Sequence, residues 1–533
     1  MVTYNKKQLL SRDKVDAYLN GQLIVRKGFD PIDVSKGINW NYRHKKNANT
    51  YQTYLHSLGI VRDLLVIGKL ESNEKLISEA RDIITDWYNA DHNVKGNYAW
   101  AEHPVSSRIG VINEFQQEDH KYKLSDKILD KLIISHCEFL FDERNYKMNN
   151  HGLMMDNALL DACIYLKDNK RKKLYLDKVL YRIRYAVYRD FTRKGTHLEN
   201  SPEYHRLILA LFRKIKVSLA ANKIKLDEDI SILIDRAIDY KRYIIKPDNY
   251  YPMIGDTGGI SDLRLKKTYK SFIDYDAGIA IMQNRNNENL VKSGHLTFKS
   301  GYQSKTHKHL DDLSITLYAD GHDIIVDSGK YSYDRKDPIR QYVVSPQGHS
   351  GLFLKDKKYK LTHPLLDQDN MRIVKFTANK NYKHVVGIND LYSISKLKRF
   401  VVLTKENILI IVDRAVSKNI ENVRQNFCIN EEAVINQIDA LKYEINLNEE
   451  TYILETIVRG RESITSDISK GYRSHKFSKY VENENISFDQ ESDNATFLTI
   501  FYNKKYAKDF TDVRMFRSRL SYKLFDNDFN VLL

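Results

Sequence analysis

The hydrophobic period of the chain changes once, near residue 270, and that change limits the fold more than any other feature of the sequence. Up to about residue 265 apolar residues recur at three- and four-residue spacings, the pattern of amphipathic helices. Residues 49–70 place Tyr54, Leu55, Leu58, Val61, Leu64 and Leu65 in this way and predict one helix. Comparable stretches run over 73–90, 122–141, 151–167, 171–190, 203–222 and 228–244. Short polar loops between them suit antiparallel helix neighbours, and such hairpins can close into a toroid without any sequence repeat. Beyond 270 the period is two. SITLYADGHDIIVDSG (314–329) is a pair of β-rich runs around Asp320-Gly321, and KRFVVLTKENILIIVDRA (398–415) repeats the form around Lys405-Glu406-Asn407. Elements segregated in this manner argue against a doubly wound sheet. They predict an α+β multidomain chain, helical over 1–268 and an antiparallel β-sandwich over 269–533.

Composition narrows the function. Apolar residues make up 42% of the 533, enough for a sizeable core. Lys and Arg number 85 against 70 Asp and Glu, a formal charge of +15, which favours anionic partners such as nucleic acid, acidic polysaccharide or anionic lipid. Because the excess is spread along the chain, nucleic acid is the weakest of these. Cys137, Cys163 and Cys428 form no CxxC pair, which excludes a disulfide scaffold and a cysteine zinc finger. No run approaches the roughly 18 apolar residues of a membrane span. The opening MVTYNKKQLLSRDKVDAYLN lacks the apolar region of a signal peptide and reads as cytoplasmic; a leader already removed would instead place the protein in the periplasm or outside the cell. Nor is there a GxxxxGK[ST], GxGxxG, GxSxG or HExxH motif.

Four polar clusters remain, all at predicted turns or element ends. Asn149-Asn150-His151-Gly152 precedes a helix, where Asn150 and His151 could hold a carboxylate or, more simply, cap the helix and face solvent. In Glu199-Asn200-Ser201-Pro202-Glu203-Tyr204-His205, Ser201 reads as an N-cap with Pro at the first helical position, which puts Tyr204 in the first turn. There Tyr204 is a packing aromatic, or a proton-transfer group if a nearby cation lowers its pKa. Thr306-His307-Lys308-His309-Leu310-Asp311-Asp312 would aim His307 and His309 to one side if extended, for acid–base work or metal ligation. Finally, Asp327 and His349 could join His309 in a two-histidine, one-carboxylate site for zinc or another divalent ion. Hairpin arithmetic complicates that set. With Asp320-Gly321 as the turn, Asp327 falls opposite Ser314, five residues from His309, so ligation requires the chain to bend back at 310–312.

In this order, on a helical-then-β chain, the clusters resemble those of the heparinase II/III-like polysaccharide lyases, relatives of which act on heparan-type glycosaminoglycans and on alginate. HKHLDDLSITLYADGHDIIVDSGKYSYD (307–334) is similar to that family's HxHxD–hairpin–DSGxYxYD signature, and Arg340, Tyr342 and His349 follow where an RxY…RAHN-like stretch is usual, with Ser350 in place of its Asn. The resemblance implies an incomplete (α/α) toroid followed by a β-sandwich, and a lyase that takes the C5 proton of a uronic acid and expels the 4-linked sugar by β-elimination. It further implies that Asn150, with His151, clamps the uronate carboxylate, and that Tyr204 and His307 share the proton transfers. Arg108, His103, Glu199, His205, Arg340 and Tyr333 would then contact substrate, while His309, Asp327 and His349 hold a structural divalent metal, zinc by the donor set. The partner implied is an acidic polysaccharide or oligosaccharide. Three other readings use the same residues: a non-catalytic binder of acidic glycans, a uronate C5-epimerase, and a glycoside hydrolase with carboxylates drawn from Glu199, Glu203 and Asp256.

Overall fold

The computed structural model describes residues 4–221, 223–457, 463–516, 519–525 and 527–532. The chain divides into two compact units, Met1–Arg189 with Ile208–Ser231, and Asp190–Leu207 with Ile232–Leu533.

The first unit is helical. Its helices include Lys6–Leu19, Ala48–Leu55, Gly59–Leu70, Glu74–Asn89, Glu102–Gln117, Asp126–Phe141 and Asn150–Cys163. Leu55, Leu58, Val61, Leu64, Leu65, Ile84 and Trp87 meet in one core. The single helix expected over 49–70 is two, because Leu58 adopts a left-handed conformation with φ 55° between them. Both pieces turn their apolar residues to the same core, which is why the spacing runs through the break. The helix Glu102–Gln117 is an addition to the expected set; it buries nine residues, among them Val105, Ile109, Ile112 and Phe115 at helical spacing. The three cysteines are free and buried. Among the described residues no helix is long and apolar enough to cross a membrane.

The second unit is a β-sandwich. A five-stranded sheet runs in chain order through Phe272–Asp274, Ile279–Asn284, Gly294–Lys299, Ser314–Ala319 and His322–Ile325. A ten-stranded antiparallel sheet, built around the long strands Leu409–Cys428 and Lys479–Asn503, faces it. Leu296, Phe298 and Leu317 of the smaller sheet share a core with Val385, Val401, Ile411 and Phe497 of the larger. The other face of the small sheet is covered as well: Tyr240 and Ile244 of the helix Glu228–Ile244 pack with Ala277, Ile279 and Ile281. Buried on both faces, the strand Ser314–Ala319 has no exposed residue. That helix belongs to the sandwich unit from Ile232 onward, so the compact units are drawn differently from a division at 268. A three-stranded sheet, Phe510–Phe516, Arg519–Leu524 and Asn527–Leu532, closes the outer face of the large sheet with Val402, Ile410 and Leu498.

Both predicted hairpins form. Leu403 pairs with Leu409 across the turn at 405–407, and Ala319 pairs with His322 across Asp320-Gly321. The second hairpin carries a bulge, since Tyr318 opposes Asp323 but Leu317 opposes Ile325. The strand ends at Ile325, and Leu313 takes a left-handed φ of 61°. Arg399, fully buried, fixes the neighbouring segments: its Nη1 donates to the carbonyls of Leu313 (2.7 Å) and Ser350 (2.9 Å), and its Nε and Nη2 pair with the buried Asp413. The bulge moves the register one residue further from His309, so the bend at 310–313 that bringing His309 to Asp327 requires is made at the left-handed Leu313 and held by the Arg399 guanidinium.

A histidine–tyrosine centre around Asp256 in the sandwich unit

Asp256, 1% exposed, is the hub of the candidate site. Its Oδ2 accepts from His307 Nδ1 at 2.8 Å, its Oδ1 from His309 Nε2 at 2.9 Å, and Arg340 approaches both oxygens through Nη1 (2.5 Å) and Nη2 (3.3 Å). Burial alone would raise this carboxyl; the hydrogen bonds from His307 and His309 and the Arg340 guanidinium instead hold it well below the usual carboxylate range. The sequence reading kept Asp256 only for a hydrolase. A weak signal was present in MIGDTGG (253–259), a glycine-rich turn at the change of period. Gly255, at φ 54°, is needed there because a Cβ would lie 2.4 Å from the carbonyl oxygen of Asn200 and 3.1 Å from that of His307.

His307 and His309 do not lie on an extended strand. The segment is a turn in which His307 has φ 56°, and the two rings reach opposite oxygens of one carboxylate. With Nδ1 bound to Asp256, Nε2 is the ring nitrogen of His307 that remains for chemistry, 3.7 Å from Glu199 Oε2. Tyr204 stacks on this imidazole with ring centroids 3.6 Å apart and planes inclined by 20°. Ser201 does act as the expected cap, since its Oγ accepts from Tyr204 N at 3.4 Å, and that hydroxyl also bonds Thr257 beside Asp256. The phenol oxygen of Tyr204 lies 2.6 Å from that of Tyr333. Its pKa is raised and not lowered. Burial pushes the phenol up, and Asp256, Glu203 and Glu199 add to this although the Tyr333 hydrogen bond opposes it. Tyr204 therefore rests as a protonated acid.

A second carboxylate is also occupied. Glu203 Oε2 accepts from Gly258 N at 2.9 Å and its Oε1 pairs with Lys330; with Asp256 bound to three cationic or NH donors, the opposed pair a hydrolase needs is not formed by these groups. Arg340 is committed to Asp256 and so acts through it. His205 requires a correction. It is 1% exposed, its Nε2 bonds the Ala237 carbonyl at 2.8 Å, and burial lowers it to about 3, so it is a buried neutral imidazole and not an exposed contact residue.

His309, Asp327 and His349 do converge, one ligand atom of each lying within 4.8 Å of the others. All three are buried. His349 Nδ1 meets Asp327 Oδ2 at 2.8 Å. His309 Nδ1 and His349 Nε2 are buried nitrogens with no hydrogen-bond partner. Such nitrogens are costly unless something binds them, so the donor set fits a divalent cation.

The remaining candidates belong to the helical unit. Asn149, not Asn150, caps the helix Asn150–Cys163, its side chain accepting from His151 N. Asn150 and His151 are half-buried. His151 Nδ1 lies 3.3 Å from Glu102 Oε1, and its ring is 6.4 Å from that of His103. Burial, chiefly, lowers the pKa of His103. Arg108 requires the second correction. It is 0% exposed, donates to His136 Nε2 and to the carbonyls of His56 and Ala99, and stacks 3.9 Å from the Trp87 ring. It is a core fastener with no face for a substrate.

Family profiles cover both halves of the chain. The heparinase II/III N-terminus profile matches residues 4–277, and the heparinase II/III-like C-terminal profile matches 271–500. The chain belongs to the heparinase II/III family. It is 20% identical over 549 aligned residues to a heparin-sulfate lyase of Bacteroides stercoris, an alignment spanning 92% of this chain and 80% of that protein. A heparin-sulfate lyase of Bacteroides thetaiotaomicron is 24% identical over 257 residues, 45% of this chain and 36% of that protein. Among solved structures, a mutant of heparan sulfate lyase HepC from Pedobacter heparinus superposes with a TM-score of 0.83 at 16% identity, covering 100% of this chain and 90% of that one. The fold is thus that of these proteins: an α-rich N-terminal part followed by a β-sandwich.

Proposed function

We propose that the chain is a polysaccharide lyase that cleaves a uronic-acid-containing glycosaminoglycan by β-elimination. The observation that carries this is the stack of Tyr204 on a His307 whose Nδ1 is bound to Asp256. It sets a base and an acid side by side. His307 Nε2 takes the C5 proton; the electron pair forms the C4–C5 double bond; the C4–O bond breaks; and the Tyr204 hydroxyl protonates the departing oxygen. Asp256 orients His307 and stabilises its cationic form. The C5 proton is weakly acidic until the adjacent carboxylate is neutralised, a task we assign to Asn150 with His151. A heparan-type chain is the favoured substrate, because the similar proteins carry that activity in their names; alginate is the less favoured uronan.

We further propose that His309, Asp327 and His349 hold a zinc ion. Such an ion, when bound, supplies fixed positive charge that stiffens the loops carrying the ligands. His309 then links that site to Asp256 through its other nitrogen.

The test follows ultraviolet absorbance of an unsaturated uronyl product over a panel of heparan sulfate, heparin, hyaluronan and alginate. Absorbance that is lost in Tyr204→Phe supports the reading. Full activity in that variant removes Tyr204 from the mechanism. Exchange of the C5 proton without new absorbance would replace elimination by epimerisation.

A further inference from the structure

The active-site aromatics do not end at Tyr333. The ring of Phe477 lies 5.4 Å from that of Tyr333, inclined by 48°. Phe477 sits at the tip of the hairpin formed by Thr465–Lys476 and Lys479–Asn503, where Lys476 pairs with Lys479. Tight hairpin turns favour Gly, Asn and Asp; an aromatic there gains nothing for the turn itself. Phe477 is 51% exposed, Tyr333 51% and Tyr480 45%. The tip is nonetheless held firmly. Ser474 Oγ donates to the carbonyls of Lys476 (3.1 Å) and Lys479 (2.7 Å), Ser478 N donates to the Tyr331 carbonyl (2.8 Å), and the Tyr480 ring meets Tyr331 edge-on at 5.8 Å. A half-exposed apolar ring thus sits beside Tyr333, whose hydroxyl meets that of Tyr204, with the exposed Lys476 and Lys479 flanking it in sequence.

We propose that this hairpin tip is an outlying sugar subsite: Phe477 stacks on the C–H face of a pyranose ring of the bound chain, and Lys476 and Lys479 meet its sulfate or carboxylate groups. The subsite rests on the lyase reading only in sharing its substrate. Continuity favours a sugar over a protein partner, because the platform leads through Tyr333 to Tyr204. Aromatic stacking of this kind makes the effect modest, about three- to tenfold.

Two measurements separate the inference from the reading beneath it. Phe477→Ala should raise KM for polymeric heparan sulfate by about three- to tenfold, with a smaller effect on the shortest oligosaccharide that is cleaved, and Phe477→Trp should restore it. Lys476→Ala with Lys479→Ala should flatten the salt dependence of KM. In parallel, calorimetric affinity for a heparan sulfate oligosaccharide is compared between Tyr204→Phe and Tyr204→Phe with Phe477→Ala, which needs no turnover. Unchanged KM and affinity in the Phe477→Ala variants overturn the subsite and leave the lyase intact. Affinity lost with Phe477→Ala, when the wild type itself eliminates nothing across the panel, keeps the subsite and overturns the lyase.

Discussion

Replacing Asp256 by asparagine should damage stability and catalysis together, and by amounts the geometry sets. The wild-type carboxylate takes hydrogen bonds from His307, His309 and Arg340 on its two oxygens, in a site 1% exposed to solvent. Asparagine keeps the shape but removes the charge and turns one acceptor into an NH2 donor. Either His307 Nδ1 or His309 Nε2 then faces a donor, and the Arg340 guanidinium loses its anion. Breaking a buried ion pair by removing one partner costs about 3–5 kcal/mol. Each charge-assisted hydrogen bond is worth about 1.5–3 kcal/mol, which is the same interaction counted another way and is not added. A His307 without its carboxylate loses both orientation and a stabilised cation, so elimination should fall by about 100- to 10,000-fold. Tyr204→Phe supplies the contrast: the side chain is half-buried and its hydroxyl meets another phenol and no ion, so the rate falls without a comparable loss of stability. The assay is initial-rate absorbance on heparan sulfate, with thermal unfolding and circular dichroism of both variants. A folded Asp256→Asn protein eliminating within tenfold of wild type would refute the role assigned to the Asp256–His307 pair.

Three other outcomes are expected. Lys299, 4% exposed, donates only to neutral oxygens of Asn200, Ala277 and Gly301, and burial lowers it from 10.5 to about 8. The unfolded chain therefore binds the extra proton between these values, and stability rises with pH over that window by up to about 3 kcal/mol; denaturant titrations should show this slope in wild type and lose it in Lys299→Met. Arg108→Lys should lower stability by about 2–4 kcal/mol in thermal or denaturant unfolding, since an ammonium cannot serve three separated acceptors and cover Trp87, while affinity for substrate is unchanged. Zinc at a hundredfold excess over its dissociation constant should stabilise the wild type by about 2.7 kcal/mol after chelator treatment and leave His349→Ala unmoved; equal response of the two proteins would place the ion elsewhere.

How far the sequence carries depends on whether an interaction is local. Helices at 73–90 and 228–244 and the hairpins at 314–329 and 398–415 are legible because period and turn chemistry lie within the segment itself. The signature HKHLDDLSITLYADGHDIIVDSGKYSYD is equally local, and it brought His307, His309 and Asp327 to notice. What escapes depends on distant partners. Arg108 and His205 look like polar site residues by type and neighbourhood, but both are buried, Arg108 donating to the distant His56 carbonyl and His205 Nε2 bonding that of Ala237. The cluster of His309, Asp327 and His349 shows the same principle inverted. Strict hairpin register places Asp327 opposite Ser314, the bulge moves it one residue further still, and the left-handed Leu313 with the grip of Arg399 on Leu313 and Ser350 brings His309 and His349 to it. Asp256 is the clearest case. Three donors from 307, 309 and 340 define its role, none nearer than fifty residues along the chain, so one lone carboxylate in a glycine-rich turn carries no sign of them. A substitution at Asp256 should consequently be felt at every element that meets there, whereas one at Phe477 should be felt by the bound chain alone.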